Sequence, residues 1–536
     1  MLKQAFKRVS FLFSVCLVLL FAAALALYRL AAGGTLSAAA ANQQSVTVTP
    51  VSLRGTIYDR NLDPLTGNGV TEYPAAAVPD PQTVNALKSV LSADGMNAAL
   101  KIMKSGGPFT LMLPKSVAAP GIRVFPVKSR YDGSGLAEHV VGSLNGDGHG
   151  ISGVEKAFDP ILSAGGRIRI SYPVDALGHV LTVGSGTVED TSAESRSGVA
   201  LTLDRSIQQL TERAAAKYLK KGAAVVLEVP TGKILAAASL PVFPQNDVSS
   251  VLQAADSPLL NRAAAAYSVG SVFKLTAAAA ALEDGISPSE TYCCTGSITV
   301  DGQAFHCFGS EAHGTEDMKQ AVAQSCNTYF VHLMQQVPPA RFLRMAEDLG
   351  FGRAVTLAPG MDSAAGVLPS LSSLAVPRAL ANFSFGQGDL TATPLQIAAM
   401  VNAIASGGVF TQPSLVSGRV DAQKNIVEQA KTFSGRRVMS EQTAALLRSF
   451  MKASVDSGTG RRGKPHFGTA GAKTATAQTG RFVNGRELDD LWFTGFYPYD
   501  KPKYVIVVLS EGGDTGGTTC GPVFRAIADG LYGYVN

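Results

Sequence analysis

The chain has 536 residues, more than one ordinary core accommodates, so two or more folded domains are expected. Hydrophobic residues make up 46% and charged residues 16%, which excludes a disordered acidic or basic protein. The formal net charge is only +5 and no basic tract is present, so no nucleic-acid partner is expected.

Lys3, Lys7 and Arg8 precede an uncharged stretch from Val9 to Tyr28. That length crosses a bilayer as a helix. Positive charge ahead of it predicts a cytoplasmic tail over residues 1–8, an anchor over 9–32, and everything after it outside. This makes a single-pass protein of the cytoplasmic membrane. A cleaved signal peptide is the alternative, because small residues follow at Ala38 to Ala41, although a cleaved signal has a shorter apolar core. Both readings export the bulk of the chain.

The polar stretch ANQQSVTVTP, residues 41–50, reads as a linker. Residues 33–195 carry short strand-like runs, GIRVFPVKS and GRIRISYPV, between Gly-rich turns. No nucleophile and base lie together there. The region reads as an elongated, mostly-β pedestal of dimerisation-domain type.

A second unit, 196–536, opens near Val199. ALTLDRSIQQLTERAAAKYLKK predicts a helix capped by Asp204. AAVVLEV and KILAAAS flank PTG as a hairpin. A helical run extends from about Ser271 to Leu282. DLWFTGFYP and KYVIVVLS form another hairpin, and GPVFRAIADGLYGYV a final helix. Strands early and late with a helical insertion between them predict one central antiparallel sheet covered by helices on both faces. The fold class is α+β and multidomain.

There are six cysteines. Cys16 lies in the apolar span, Cys293, Cys294 and Cys307 cluster, and Cys326 and Cys520 stand apart. The loop CCTGSITVDGQAFHC could close one disulfide in an exported protein. His306 and His313 make zinc conceivable, without a standard ligand spacing. Free thiols are the third reading.

Ser271-Val272-Phe273-Lys274 starts the apolar helical run. Residues three apart share a helix face, so a Lys274 amine whose pKa is lowered by burial could take the Ser271 proton. The pattern alone is weak, since Ser449-Phe450-Met451-Lys452 repeats it. Order adds the information. Ser325-Cys326-Asn327 follows Ser271, and Lys473-Thr474-Ala475-Thr476 follows that. S-x-x-K, S-x-N and K-T-G in this order mark serine enzymes that recognise β-lactams. Ser449 has no S-x-N before Lys473, and Ser143-Leu144-Asn145 precedes Ser271.

On these residues the chain resembles the penicillin-binding proteins, specifically the monofunctional, class B type transpeptidases. LRGTIYDRN (Leu53 to Asn61), HVVGSLNGDGHGISGVEKAFD (His139 to Asp159), NRAAAAYSVGSVFK and SFGQGDLTATPLQIAAMVNAIASGG (Ser384 to Gly408) are similar to further family segments. The resemblance implies a D,D-transpeptidase. Ser271 would attack the penultimate D-Ala carbonyl of a peptidoglycan stem peptide. Lys274 would be its base, and Ser325 would relay a proton to the leaving amine. Asn327 would hold the substrate backbone and Lys274. Lys473 would set the local field, Thr474 and Thr476 would bind substrate, and the backbone N–H groups of Ser271 and Thr476 would form the oxyanion hole. No metal or cofactor is needed. Implied partners are stem peptides, β-lactams, the membrane and a polytopic glycan polymerase. Asp59, Arg60, Asn61 and Glu155 would hold the pedestal together, and Trp492 and Phe493 would pack the core.

Two positions depart from the family pattern. Ala475 stands where Gly is usual, so its methyl is expected to crowd the substrate pocket. Val269 replaces a Pro. A β-lactamase is disfavoured, because no E-x-x-L-N segment lies between Asn327 and Lys473. A D,D-carboxypeptidase and a β-lactam sensor or scaffold with little turnover stay open.

Overall fold

A computed structural model of the chain describes residues 2–32, 45–483 and 485–535. The Ala38 to Ala41 stretch and residues 41–44 of the expected linker lie outside them. Helix α1, Leu2–Ala32, is continuous. Among the described residues it is the one helix long and apolar enough to cross a membrane, over Phe6–Arg29.

The rest of the expected linker is not a linker. Ser45–Ser52 forms strand β1, because its alternating Val and Thr residues suit a pleated ladder. Two compact units emerge, and the 33–195 stretch contributes to both. The smaller comprises 1–54, 70–129 and 165–194; the larger comprises 55–69, 130–164 and 195–536.

In the smaller unit, strands β2 (Thr71–Ala77) and β3 (Phe109–Leu113) pair antiparallel. Helices α2 (Pro81–Lys88) and α3 (Ala93–Met103) bury Leu87, Met96, Ala99 and Met103 against Ala75, Ala77, Phe109 and Leu113 of this sheet. Asp80 caps α2 by accepting from the N–H groups of Gln82 and Thr83. Strand β1 pairs with β4 (Arg167–Pro173), which pairs with β5 (Thr187–Asp190).

The larger unit is built on strands β6 (Gly222–Glu228), β7 (Ile234–Leu240), β8 (Gly471–Val483), β9 (Arg486–Tyr497) and β10 (Tyr504–Glu511). Their order is β7-β6-β10-β9-β8, antiparallel throughout, with β8 at the edge. Continuous apolar runs such as YVIVVLS mean that both faces are covered. Val225, Leu227, Val505 and Val507 face a core shared with helices α5 (Lys274–Glu283) and α8 (Pro394–Ala405). Ala224, Val226, Ile506 and Val508 face helices α4 (Arg205–Tyr218) and α10 (Gly521–Val535). Each fully buried Val, Ile or Leu adds about 1.5–3 kcal/mol, so a charge at Val507 would disrupt this centre. Asp204 caps α4, accepting from Ser206 and Ile207 N–H.

Asp59, Arg60, Asn61 and Glu155 are structural, but in the larger unit. The Asp59 carboxylate accepts from the N–H groups of Asn61, Asp63 and Arg205. Arg60 pairs with Glu228 at 2.9 Å. Fully buried Glu155 accepts from Arg130 at 2.7 Å.

Candidate active site

Ser271 does not begin a regular α-helix. It lies in a short, tight helical turn, Gly270–Phe273, and α5 starts only at Lys274. Gly270 has φ +61°, and a Cβ there would stand 2.9 Å from the Ala477 methyl on β8. Glycine is therefore required on two grounds. The Gly270 N–H donates to the Gly386 carbonyl at 2.8 Å, which ties the turn to the segment that resembled the family. Ser271 is left partly exposed on a cleft of about 800 Å³.

Helix α5 is buried from Lys274 through Ala281, and its alanines permit that close packing. Lys274 is fully buried. Its Nζ donates to the Ser325 carbonyl at 2.6 Å and to Asn327 Oδ1 at 2.6 Å, with Ser325 Oγ at 3.3 Å. Burial pushes its pKa down to about 8, against an opposing pull from Cys326, Cys307 and Glu316.

Helix α6 (Met318–Gln324) begins with a capping box of Asp317 and Gln320 and ends at Ser325, whose φ is +63°. A non-Gly residue in this left-handed region costs roughly 1–2 kcal/mol. Here it turns both the Ser325 carbonyl and hydroxyl toward the amines. Cys326 then caps helix α7 (Asn327–Met334) by accepting from Tyr329 N–H at 3.3 Å. Asn327 Nδ2 donates to the His306 carbonyl at 2.8 Å, which fixes its amide.

Lys473 arrives from β8, fully buried. It donates to Ser325 Oγ at 2.8 Å and to the Thr474 carbonyl at 3.0 Å. Burial, then the charge of Lys274, hold its pKa well below the usual lysine range. Two buried amines sharing one serine disfavour double protonation. Thr474 Oγ1 donates to Thr459 Oγ1 at 2.8 Å, and Thr476 Oγ1 accepts from Gly516 N–H at 3.3 Å.

Thus Ser271, Lys274, Ser325, Asn327, Lys473, Thr474 and Thr476 converge on one place. Ser271, Ser325, Asn327, Thr474 and Thr476 line the cleft, and the two lysines are buried behind them. Sequence reasoning missed Thr459, Gly516 and the His306 carbonyl. A Cβ on Gly516 would meet the Ala475 and Trp492 carbonyls at 2.3 and 2.4 Å, but no local pattern announces that approach.

Ala475 stands where the Ser271 turn meets the cleft. It is 4% exposed, belongs to the core with Trp492, and its methyl would stand 3.4 Å from a Cβ on Gly270. The methyl therefore neighbours the Gly270 turn, and the residue also forms part of the cleft wall beside Ser271, Thr474 and Thr476. Trp492 and Phe493 are fully buried, with Trp492 Nε1 donating to the Ser268 carbonyl.

The rival motifs separate cleanly. Ser449 Oγ donates to the Leu446 carbonyl, and Lys452 pairs with Asp456 on the outside of helix α9 (Glu441–Asp456). Ser143 contacts Ser152, and Asn145 caps a turn by accepting from Asp147 and His149 N–H. The cysteines regroup. Cys326, set apart by sequence, lies with Cys294 and Cys307, whereas Cys293 is exposed. The Cys294 and Cys307 sulfurs stand 3.7 Å apart, unbonded.

Residues 222–529 match the family model described as penicillin binding protein transpeptidase domain. The penicillin-binding protein PbpB of Mycobacterium tuberculosis is 31% identical over 97% of this chain and 83% of its own. The peptidoglycan D,D-transpeptidase FtsI of Escherichia coli is 27% identical over 79% and 70%. Penicillin binding protein 3 of Mycobacterium tuberculosis, complexed with aztreonam, superposes with a TM-score of 0.66 at 26% identity, covering 91% of this chain and 97% of that one. With the transpeptidase domain spanning more than half its length, this chain belongs to the class B penicillin-binding proteins.

Proposed function

We propose that the chain is a serine D,D-transpeptidase that cross-links peptidoglycan, with Ser271 as the acylated residue. The observation that carries this is the fully buried Lys274, held by Ser325 and Asn327 one turn after Ser271. Neutral Lys274 takes the hydroxyl proton as Ser271 Oγ attacks the penultimate D-Ala carbonyl. Backbone N–H groups of Ser271 and Thr476 hold the oxyanion. The C–N bond breaks, and terminal D-Ala leaves as an amine with a proton passed through Ser325. A neighbouring stem amine then attacks the ester, forms the cross-link and returns the proton to Ser271. Edge strand β8 offers Thr474 to Thr476 to the donor peptide, with Thr474 and Lys473 toward its carboxylate. β-Lactams acylate the same hydroxyl.

In this reading α1 anchors the chain with its N-terminus inside and the larger unit outside the cytoplasmic membrane. The basic residues Lys3, Lys7 and Arg8 support that orientation. The family resemblance supports a polytopic glycan polymerase as membrane partner.

The purified full chain, given a pentapeptide donor and an amine acceptor, should yield dimer with stoichiometric release of D-Ala. Release of D-Ala without dimer would make it a carboxypeptidase. Covalent penicillin binding with neither product would make it a sensor or scaffold.

A further inference from the structure

Beside Ser325 and Asn327 lies a second side-chain cluster that the transfer reaction does not use, with Cys307 and His313 also on the cleft wall. Cys294, Cys307, Cys326 and His313 place their ligand atoms within 4.8 Å of one another. Zinc–thiolate bonds of about 2.3 Å give a tetrahedron with S···S edges of about 3.8 Å and S···N edges of about 3.5 Å. Here Cys294–Cys307 and Cys307–Cys326 are each 3.7 Å, and Cys294 Sγ to His313 Nδ1 is 3.4 Å. A disulfide needs about 2.05 Å and would strand the third sulfur.

The surroundings fit a thiolate site. Tyr329 and Gly296 N–H groups point at Cys326 and Cys294 sulfur at 3.3 and 3.4 Å, and the Thr328 hydroxyl donates to Cys294 at 3.1 Å. Such donors commonly orient metal-bound sulfur. Glu316 supplies an independent observation. It is 3% exposed, its carboxylate faces the Cys326 thiol with no well-formed hydrogen bond to either oxygen, and Oε1 lies 3.9 Å from the same His313 nitrogen. A buried carboxylate so weakly hydrogen-bonded, set against a thiol, is costly unless a cation stands beside it.

We propose that Cys294, Cys307, His313 and Cys326 bind one zinc ion, with Glu316 at its flank. Three buried sulfurs and one partly buried imidazole supply four protein ligands, a structural zinc set and not one with an open position. Binding takes the cysteines as thiolates and the imidazole neutral, so three thiol protons leave to solvent. The ion makes no contact with Ser271. It fastens the segment 292–316 to the junction of α6 and α7. Cys326 is the residue between Ser325 and Asn327, and Cys307 follows His306, whose carbonyl holds Asn327. The four ligands are therefore positioning residues for the group that grips Lys274. The spacing, twelve, five and twelve residues between successive ligands, matches no short zinc signature.

The test is metal content of the purified full chain after exposure to zinc under reductant, followed by removal of loose metal. One zinc per chain is expected for wild type, Cys293→Ser and Ser271→Ala. Cys307→Ser should lose at least about tenfold in zinc affinity. If Cys307→Ser does not fold, wild type still decides. A strong chelator should lower its Tm and slow its acylation by penicillin, and zinc but not magnesium should restore both. Wild type without stoichiometric zinc, or with a disulfide joining Cys307 to Cys294 or Cys326 under these conditions, would overturn the proposal. Because Ser271→Ala cannot be acylated in this account yet should bind zinc, failure of the metal site and failure of the acylation reading are separately visible.

Discussion

Lys473 donates to Ser325 Oγ over 2.8 Å, from a strand 148 residues away in the chain. Lys274 holds the carbonyl of the same serine over 2.6 Å. Ser325 is thus the junction between the two amines, and its left-handed backbone presents both oxygens to them. Ser325→Ala should lower the acylation rate by about 10²–10⁴ if the hydroxyl carries protons. It should also cost about 1–3 kcal/mol in stability by leaving buried Lys473 with the Thr474 carbonyl as its remaining acceptor. Stopped-flow acylation and thermal denaturation measure the two effects. A stability loss with unchanged acylation would reduce Ser325 to a structural part.

The lowered pKa of Lys274 sets a pH profile. The amine must be neutral to accept the Ser271 proton, and protonation removes that capacity as pH falls through about 8. Acylation by penicillin should therefore rise with pH, with its midpoint near 8, and fall about tenfold per unit well below it. A rate independent of pH between about 6 and about 9 would contradict the role of Lys274.

Glu138 carries a separate pH dependence, in stability. Burial raises its carboxyl to about 8, although it accepts from Phe243 N–H at 2.6 Å. The folded protein then binds this proton more tightly than the unfolded chain. Its contribution is full below the unfolded value of 4.5 and is lost as pH rises through about 8. Nearby Glu212, raised to about 7 by its own burial, acts in the same direction. Glu138→Gln should flatten this loss, so the variant should gain in relative Tm between about pH 5 and about pH 8. A constant Tm difference across that range would count against the assignment.

Ala475 can be tested against its packing. Because Ala475 is buried beside the Gly270 turn, Ala475→Gly should cost about 1 kcal/mol through lost contact and added strand flexibility. Acylation should change less than about threefold, well under 1 kcal/mol of barrier. Acceleration beyond about tenfold would show instead that the methyl crowds the pocket.

Much of this was legible in sequence, for identifiable reasons. Apolar runs such as YVIVVLS reveal strands covered on both faces, and the order of three short motifs selects Ser271 over Ser449. Other features depend on contacts made far along the chain. The strand formed by Ser45–Ser52 was hidden by the polar residues around it, since its partner lies at Arg167–Pro173. Residues 55–69 and 130–164 join the larger unit although they are flanked by the smaller one. Cys326 looks isolated until α6 and α7 turn it toward Cys307. The close approach of the Gly270 turn to Ala475 and Ala477 depends on strand β8 meeting a segment roughly two hundred residues earlier, which the motif does not state.

The central claim is that Ser271, and not the outwardly paired Ser449, becomes acylated. Fluorescent penicillin labelling of the full chain, with the adduct located by peptide mass spectrometry, decides it. Label is expected on the Ser271 peptide in wild type and Ser449→Ala, and none on Ser271→Ala. Covalent label that persists on Ser271→Ala, or maps to the Ser449 peptide, would contradict it.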